Sequence, residues 1–372
     1  MIYQILIDRF NGGWTTHPQN ANAFLGGTLN GIIEKLDYIK SLGATYIWLS
    51  PFFKTDAYHG YHTTDYEQID PHFGTWEDLK NLVDEAHKIG IRIIADFVPN
   101  HCHANHPFFQ DAIKNPLTSP YRKWFHFKDN HSANCLCFYG YPELPKFNLE
   151  NQTTADYFIG IGENLSRIGI DGFRIDHAVG LPMSFLQKFR NRMHELNPNT
   201  IVFGEVWADN MPRRFFSAVY FRSLWRKCYY WIFGISQEQI QLDYHDVLDG
   251  VLDFEFQGLL VDELKAGKRL KDNAHMVQKL IKHFARYSSS FQPVLFLENH
   301  DTDRFLFHCE GDESLLKEAV DVMKQSRWQY VIYYGMGCGM WNKKTIVNAE
   351  PYADLRVREP MNWGMTNNVN SK

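Results

Sequence analysis

Apolar residues fall along this chain in two alternating patterns. Short unbroken runs of β-branched and aromatic residues read as strands buried on both faces of a parallel sheet, and longer stretches with apolar positions three or four apart read as amphipathic helices. The chain opens with such a run, Tyr3-Gln-Ile-Leu-Ile-Asp-Arg-Phe10, followed by a Gly/Asn/Pro loop to Gly27. Ile32, Ile33, Leu36, Ile39 and Leu42 then predict a helix over 29–42, stopped by Gly43. A strand over 45–50, a helix over 76–88 stopped by Gly90 and a strand over 91–98 continue the alternation. Residues 102–148 break it. They are rich in Asn, Pro, His and aromatic side chains without a clear period, and read as an inserted subdomain or lid between a first part, 1–101, and a remainder, 149–372.

The alternation resumes with a helix over 153–167 and a run ending Gly172-Phe-Arg-Ile-Asp176. A helix over 182–196, apolar at Phe185, Leu186, Phe189, Met193 and Leu196, begins at Pro182, stops at Asn197-Pro198 and leads into a second run, Thr200-Ile-Val-Phe-Gly-Glu205. Residues 212–244, dense in Arg and aromatic side chains, read as a packed helical excursion rather than a membrane-surface helix. Strands over 251–256, 294–301 and 330–335 complete a set of eight, and eight strands alternating with helices count out an α/β fold, the (β/α)8 barrel.

In a strand, helix, parallel strand unit both strands point the same way. Asp176 and Glu205 therefore emerge at one carboxyl-terminal edge, where barrel enzymes keep their chemistry. Two carboxylates facing each other there suit glycosidic bond cleavage, in which one attacks or supports the sugar carbon and the other protonates the departing oxygen. Arg174 lies two residues before Asp176 on the same strand face, where a guanidinium would hold Asp176 ionised. A buried Arg–Asp pair beside a strand-end Glu would give the same local sequence. Two further strands also end in polar clusters, Asp96 to His101 and Glu298 to Asp301, and this favours a shared site.

Charge and composition narrow the reading. A balanced formal net charge of −5 argues against a nucleic-acid footprint and against a general membrane surface. No run approaches the roughly eighteen apolar residues of a spanning helix, and no leader precedes the first strand. The six cysteines show no pairing pattern and read as free thiols of a cytoplasmic protein, unless a leader has been removed. Cys102, His103, His106, Cys135 and Cys137 lack the usual zinc spacing.

Five motifs stand in order along the chain: Asp96-Phe-Val-Pro-Asn-His101, Leu144-Pro-Lys-Phe-Asn148, Gly172-Phe-Arg-Ile-Asp-His-Ala178, Phe203-Gly-Glu-Val-Trp207 and Phe296-Leu-Glu-Asn-His-Asp301. With them the chain resembles, over nearly its whole length, the α-amylase family of glycoside hydrolases. The resemblance implies cleavage of α-1,4-glucosidic bonds in starch, maltodextrin or related α-glucans by a retaining double displacement. It makes Asp176 the nucleophile, Glu205 the general acid and then base, and Asp301 a third carboxylate that grips sugar hydroxyls more tightly in the transition state. It also implies substrate contacts from Tyr61 as stacking platform, from the imidazoles of His101 and His300, from Arg174, and from Asp354 with Arg358. For the last two a surface ion pair is an equal alternative.

Some positions depart from the family pattern. Calcium-dependent α-amylases carry an Asp third in the Leu-Pro motif and a Lys-His pair closing the nucleophile motif, where this chain has Lys146, Val179 and Gly180. No cofactor is therefore expected, with the loop between Asn11 and Gly27 as the remaining place for a calcium ion. Lys146 resembles the neopullulanase and cyclomaltodextrinase branch, whereas Glu298-Asn-His-Asp301 resembles plain α-amylases. The alternatives are that branch, with mixed α-1,4 and α-1,6 cleavage, an α-glucan transglycosylase of the same fold, and a non-catalytic barrel scaffold. Nine residues follow Trp363, where family members continue with an eighth helix and a β-sandwich domain. The expectation is that this domain is absent and that an exposed apolar groove lies between the helices over 29–42 and 314–326.

Overall fold

The computed structural model describes residues 1–12, 23–129, 133–208, 211–270, 273–347 and 351–364. Eight strands form one sheet: β1 (Ile2–Ile5), β2 (Tyr46–Leu49), β3 (Arg92–Phe97), β4 (Gly172–Ile175), β5 (Ile201–Gly204), β6 (Gly250–Leu252), β7 (Gln292–Val294) and β8 (Val331–Tyr333). Their order is β8-β1-β2-β3-β4-β5-β6-β7 and every ladder is parallel. The edges β7 and β8 meet through the bridge Leu295–Tyr330, where the Val331 N–H donates to the Leu295 carbonyl at 2.7 Å. The sheet thus curls into the (β/α)8 barrel that the alternation predicts.

Strand alternation decides what faces the barrel interior. Ile2, Trp48, Ile94, Phe203, Leu252 and Phe296 pack together inside it, each at most 2% exposed. Each such side chain stabilises the fold by roughly 1.5–3 kcal/mol. Two residues beyond Ile94 on the same face stands Asp96, and two beyond Phe203 stands Glu205. The register sets Asp96 opposite Arg174, and Arg174 opposite Phe203. The apolar layer therefore forms a floor, with charged side chains directly above it at the carboxyl-terminal mouth.

The helices outside follow their sequence signals closely. Helix Trp76–Lys88 is held at its start by a capping box between Thr75 and Asp78, buries Leu79, Leu82, Val83 and Ala86, and ends at Gly90 with φ of 73°. Helix Gln152–Arg167 is capped by Asn151, and helix Met183–Leu196 buries Phe185, Leu186, Phe189 and Met193. Between β3 and helix Gln152–Arg167, the helix Pro107–Lys114 and short turns are tied by the antiparallel bridges His101–Lys146, Phe125–Phe147, Phe127–Cys135 and Cys137–Pro145.

Four expectations are corrected. The helix over 29–42 is two helices, Leu29–Ile33 and Leu36–Ser41, broken where the Lys35 N–H turns to the Ile32 carbonyl at 2.9 Å. The sixth strand stops at Leu252, because the Asp253 side chain accepts from the Phe256 N–H and caps a helix, Phe254–Lys265. Within 212–244 lie a short turn, Arg213–Ala218, and helices Leu224–Phe233 and Gln237–Leu242; the second of the three turns its apolar side outward rather than into the core. No apolar residue of helices Leu29–Ile33, Leu36–Ser41 or Glu313–Gln325 is exposed, so the groove expected there is not open. Trp363 covers the side of helix Leu36–Ser41, its ring 5.1 Å from Phe10 and 5.2 Å from Tyr38 and its Nε1 donating to the Phe10 carbonyl at 2.9 Å. Most of the loop between Asn11 and Gly27, proposed as a calcium site, lies outside the described residues.

Candidate active site

Arg174 organises the mouth. Its side chain has no solvent exposure, and its Nη1 donates at 2.8 Å to both Asp96 Oδ1 and Asp176 Oδ1. Nη2 lies 2.7 Å from Glu205 Oε1, a close charge contact without the alignment of a hydrogen bond. One guanidinium thus holds the strand-end carboxylates of β3, β4 and β5 together. Glu205 is also fixed by the His177 N–H, which donates to Oε2 at 3.0 Å. His177 itself takes a left-handed backbone, φ 41°, a strained state at a non-glycine residue next to Asp176.

A second guanidinium fixes the third carboxylate. Arg358 Nη2 donates to Asp301 Oδ1 at 2.7 Å, its Nε donates to the His300 carbonyl at 2.9 Å, and its Nη1 pairs with Asp354 Oδ2 at 2.7 Å. His300 Nε2 lies 2.9 Å from Asp301 Oδ2, and its Nδ1 is 3.0 Å from Gln4 Nε2 on β1. Tyr61, on the turn between the hairpin strands Phe53–Thr55 and Thr63–Ile69, stacks on His300 with centroids 5.1 Å apart and donates its hydroxyl to Asp96 Oδ2 at 2.8 Å. His101 stacks on Phe138 at 4.6 Å.

A cavity of about 680 Å³ opens above these groups. Eight of the nine residues singled out from sequence line it: Tyr61, His101, Asp176, Glu205, His300, Asp301, Asp354 and Arg358. The ninth, Arg174, lies beneath the carboxylates and does not form part of the wall, so it acts on them and not on a ligand. Asp354 and Arg358 form an ion pair in the cavity wall. Asp96 was missed as a site residue, although its step of two from Ile94 signalled the inward face. Also missed were His59, His62, Phe138, Tyr139 and Trp207, which line the cavity. Phe138 and Tyr139 carry no periodic signal; the bridge Cys137–Pro145 and the turn at Gly140, φ 81°, bring them there.

Burial dominates the electrostatics. It raises the Asp176 carboxyl well above the usual carboxylate range, with Arg174 acting against it and Glu205, Asp96 and Asp301 adding to it. Burial raises Glu205 too, again opposed by Arg174. Asp301 moves the other way: burial would raise it, but His300 and Arg358 outweigh that and hold it below the usual range.

The position implied for calcium does not fit a cation. Lys146 Nζ donates to Asn100 Oδ1 at 2.7 Å and to the Gly180 carbonyl, so an ammonium stands where the oxygens converge. A Cβ at Gly180 would lie 2.4 Å from Asn100 Oδ1 and 2.5 Å from the His177 ring, so only glycine lets the chain approach so closely. Burial pulls the Lys146 ammonium down to about 7, with Glu150 acting against it.

This fold and this mouth define a class, the (β/α)8 barrels with an acidic site at the carboxyl-terminal edge. Within it, the model of the α-amylase catalytic domain matches residues 4–139 and 129–370, and the chain belongs to that family. Alpha-amylase 2 of Dictyoglomus thermophilum is 35% identical over 368 residues, 98% of this chain and 59% of that protein. A cyclomaltodextrinase of Thermoanaerobacter pseudethanolicus is 32% identical over 362 residues, 91% of this chain and 57% of that protein. Among solved structures, the cyclic α-maltosyl-(1→6)-maltose hydrolase of Arthrobacter globiformis matches with a TM-score of 0.78 at 25% identity, covering 98% of this chain and 77% of that one. The chain spans less than two thirds of the length of these two curated relatives. Among the described residues, no helix is long and apolar enough to cross a membrane.

Proposed function

We propose that the chain is a retaining glycoside hydrolase acting on α-1,4-glucosidic bonds of starch, maltodextrin or related α-glucans. The observation that carries this reading is the single guanidinium of Arg174 set against Asp176 and Glu205 at the barrel mouth, with Asp301 held across the same cavity. Asp176 acts in its ionised form, which the aligned, charge-assisted hydrogen bond from Arg174 Nη1 favours, and Glu205 acts in its protonated form, which its burial favours. Asp176 then attacks the anomeric carbon as Glu205 gives its proton to the departing glycosidic oxygen. A water replaces the leaving sugar, Glu205 takes a proton from it, and its oxygen displaces Asp176, restoring both groups.

Asp301, kept ionised by His300 and Arg358, accepts hydrogen bonds from sugar hydroxyls and strengthens them as positive charge builds on the ring. The face of Tyr61, fixed by its stack on His300 and its bond to Asp96, carries the apolar side of the sugar. His101, neutral because burial lowers it to about 3, hydrogen-bonds the same sugar without adding charge. Lys146 Nζ fills the place between Asn100 Oδ1 and the Gly180 carbonyl and donates to both, so no metal ion is needed there. The six free thiols suit a reducing, cytoplasmic setting.

A second reading, in which α-1,6 bonds are also cleaved, is supported by likeness to the Arthrobacter hydrolase, named for a sugar with (1→6) linkages. Reducing-end release from soluble starch, pullulan and cyclodextrins, with Asp176→Asn as control, tests both. Starch cleavage that disappears in the control supports the proposal, and maltotriose released from pullulan, which only α-1,6 cleavage yields, adds the second reading. No release from any of the three would overturn both.

A further inference from the structure

Whole-chain charge hides a local concentration. From Pro212 to Phe233 the chain carries five cations, Arg213, Arg214, Arg222, Arg226 and Lys227, and no acid, although its net charge is −5. Arg222 and Arg226 turn back to Asp246 at 2.6 Å and Asp243 at 2.9 Å. Arg213, Arg214 and Lys227 are exposed, and none forms an ion pair among the described residues.

Helix Leu224–Phe233, in the same segment, is amphipathic in the inverted sense. Its inward contact is Tyr230, buried and donating its hydroxyl to Asp243 Oδ2 at 3.0 Å. Leu224, Trp225, Cys228, Trp231 and Ile232 fall within about 120° of the opposite face at the α-helical 3.6 residues per turn. Leu224 is 77% exposed, Trp225 66%, Trp231 50%, Ile232 64% and Phe233, at the helix end, 72%. Together these side chains present an apolar area on the order of several hundred Å², about the largest that a monomer ordinarily leaves bare. The Arg213 guanidinium lies 5.5 Å from the Trp231 ring centroid, so the cations border the apolar stripe directly.

We propose that this segment docks on an anionic lipid bilayer, the stripe entering the boundary between headgroups and acyl chains and Arg213, Arg214 and Lys227 meeting the headgroup phosphates. Both halves of the surface are used by such a partner. A second copy of the chain is disfavoured, since it would set these cations against their own images with no acid in the segment to meet them. A sugar platform would need carboxylate or amide side chains beside the aromatic rings, and residues 224–233 contain none. The segment begins at the rim of the catalytic cavity, which Met211 and Pro212 line, so docking would hold the mouth close to the membrane surface.

The test is co-sedimentation of the purified chain with phosphatidylcholine vesicles, with and without phosphatidylserine, at low and high NaCl. The expected result is pelleting with the phosphatidylserine vesicles, about tenfold or more above phosphatidylcholine alone, and release by salt. Trp225→Ser with Trp231→Ser should abolish it, and Arg213→Gln with Arg214→Gln should weaken it at least severalfold. Both variants should keep a wild-type circular dichroism spectrum and wild-type release of reducing ends from starch. Failure to pellet with phosphatidylserine vesicles, or equal pelleting with phosphatidylcholine alone, overturns the proposal. So does a lipid-free dimer in sedimentation velocity that the tryptophan pair dissolves.

Discussion

Arg174 and Asp96 form an ion pair at 2.8 Å in which neither side chain has any solvent exposure. Asp96 also accepts hydrogen bonds from Trp48 Nε1 at 3.0 Å and from the Tyr61 hydroxyl at 2.8 Å. The pair is thus the joint between the apolar floor of the barrel and the groups that face a ligand.

Replacing Asp96 by Asn removes the charge and keeps the size. The buried guanidinium is left with less compensation, and breaking such a pair costs about 3–5 kcal/mol. Urea unfolding should show that loss, with a fall in starch hydrolysis because Tyr61 and Arg174 both lose their anchor. An unchanged unfolding midpoint would show that the pair contributes no net stability.

Asp176→Asn and Glu205→Gln should each abolish turnover on starch while the far-ultraviolet circular dichroism stays that of the wild type. In the wild-type reaction, proton NMR should find the α-anomer as the first product, because an attacking Asp176 inverts the carbon once and water inverts it again. A β-anomer appearing first would rule out the double displacement.

Activity should survive prolonged treatment with a chelator, since Lys146 occupies the position implied for calcium. Lys146→Met leaves Asn100 Oδ1 and the Gly180 carbonyl without their donor, at a cost of about 1–3 kcal/mol for each buried acceptor. Thermal unfolding should fall accordingly. Inactivation by chelator that calcium reverses would contradict the assignment.

Stability should drop on mild acidification. Burial holds His101 down to about 3 and His106 to about 4, against an ordinary 6.5. The folded protein keeps both neutral while the unfolded chain takes up protons, so their contribution is complete above about pH 6.5 and is lost as pH falls toward 4. Within that window each histidine removes about 1.4 kcal/mol per pH unit. A melting temperature that falls no more steeply in the wild type than in a His106→Gln variant between about pH 7 and pH 4.5 would show that the His106 imidazole accepts its proton in place.

The site was legible where strand ends carried it. Asp176 and Glu205 each close a strand-like run, the first broken only by Arg174, and parallel topology then dictates that they meet. Asp301 and His300 followed from a shared motif, and the structure places both in the cavity wall. Arg174 was placed on the correct strand face, but alternation cannot tell a wall from the layer beneath it. Tyr139 was invisible because only a left-handed turn and a remote bridge bring it to the mouth. At Val251–Phe256, alternating apolar residues fit a strand, yet the side chain of Asp253 offered the backbone a helix start that period alone does not reveal. Helix Leu224–Phe233 shows the complementary failure: periodicity marks an apolar face without saying which way it points.

The pairing of β1 with β8 has a consequence for how the protein comes into being. Ile2 lies opposite Val331, and Gln4, two residues further on, reaches His300 beside Asp301. A ribosome must therefore release the last strand before the first acquires its second neighbour, and the nascent chain holds an unfinished sheet until then. Contacts of such long sequence separation slow the final closure of the ring. A nick or truncation before β8 would remove a neighbour of the very strand that anchors His300, so hydrolytic competence should arise late and all at once, as a property of the completed circle.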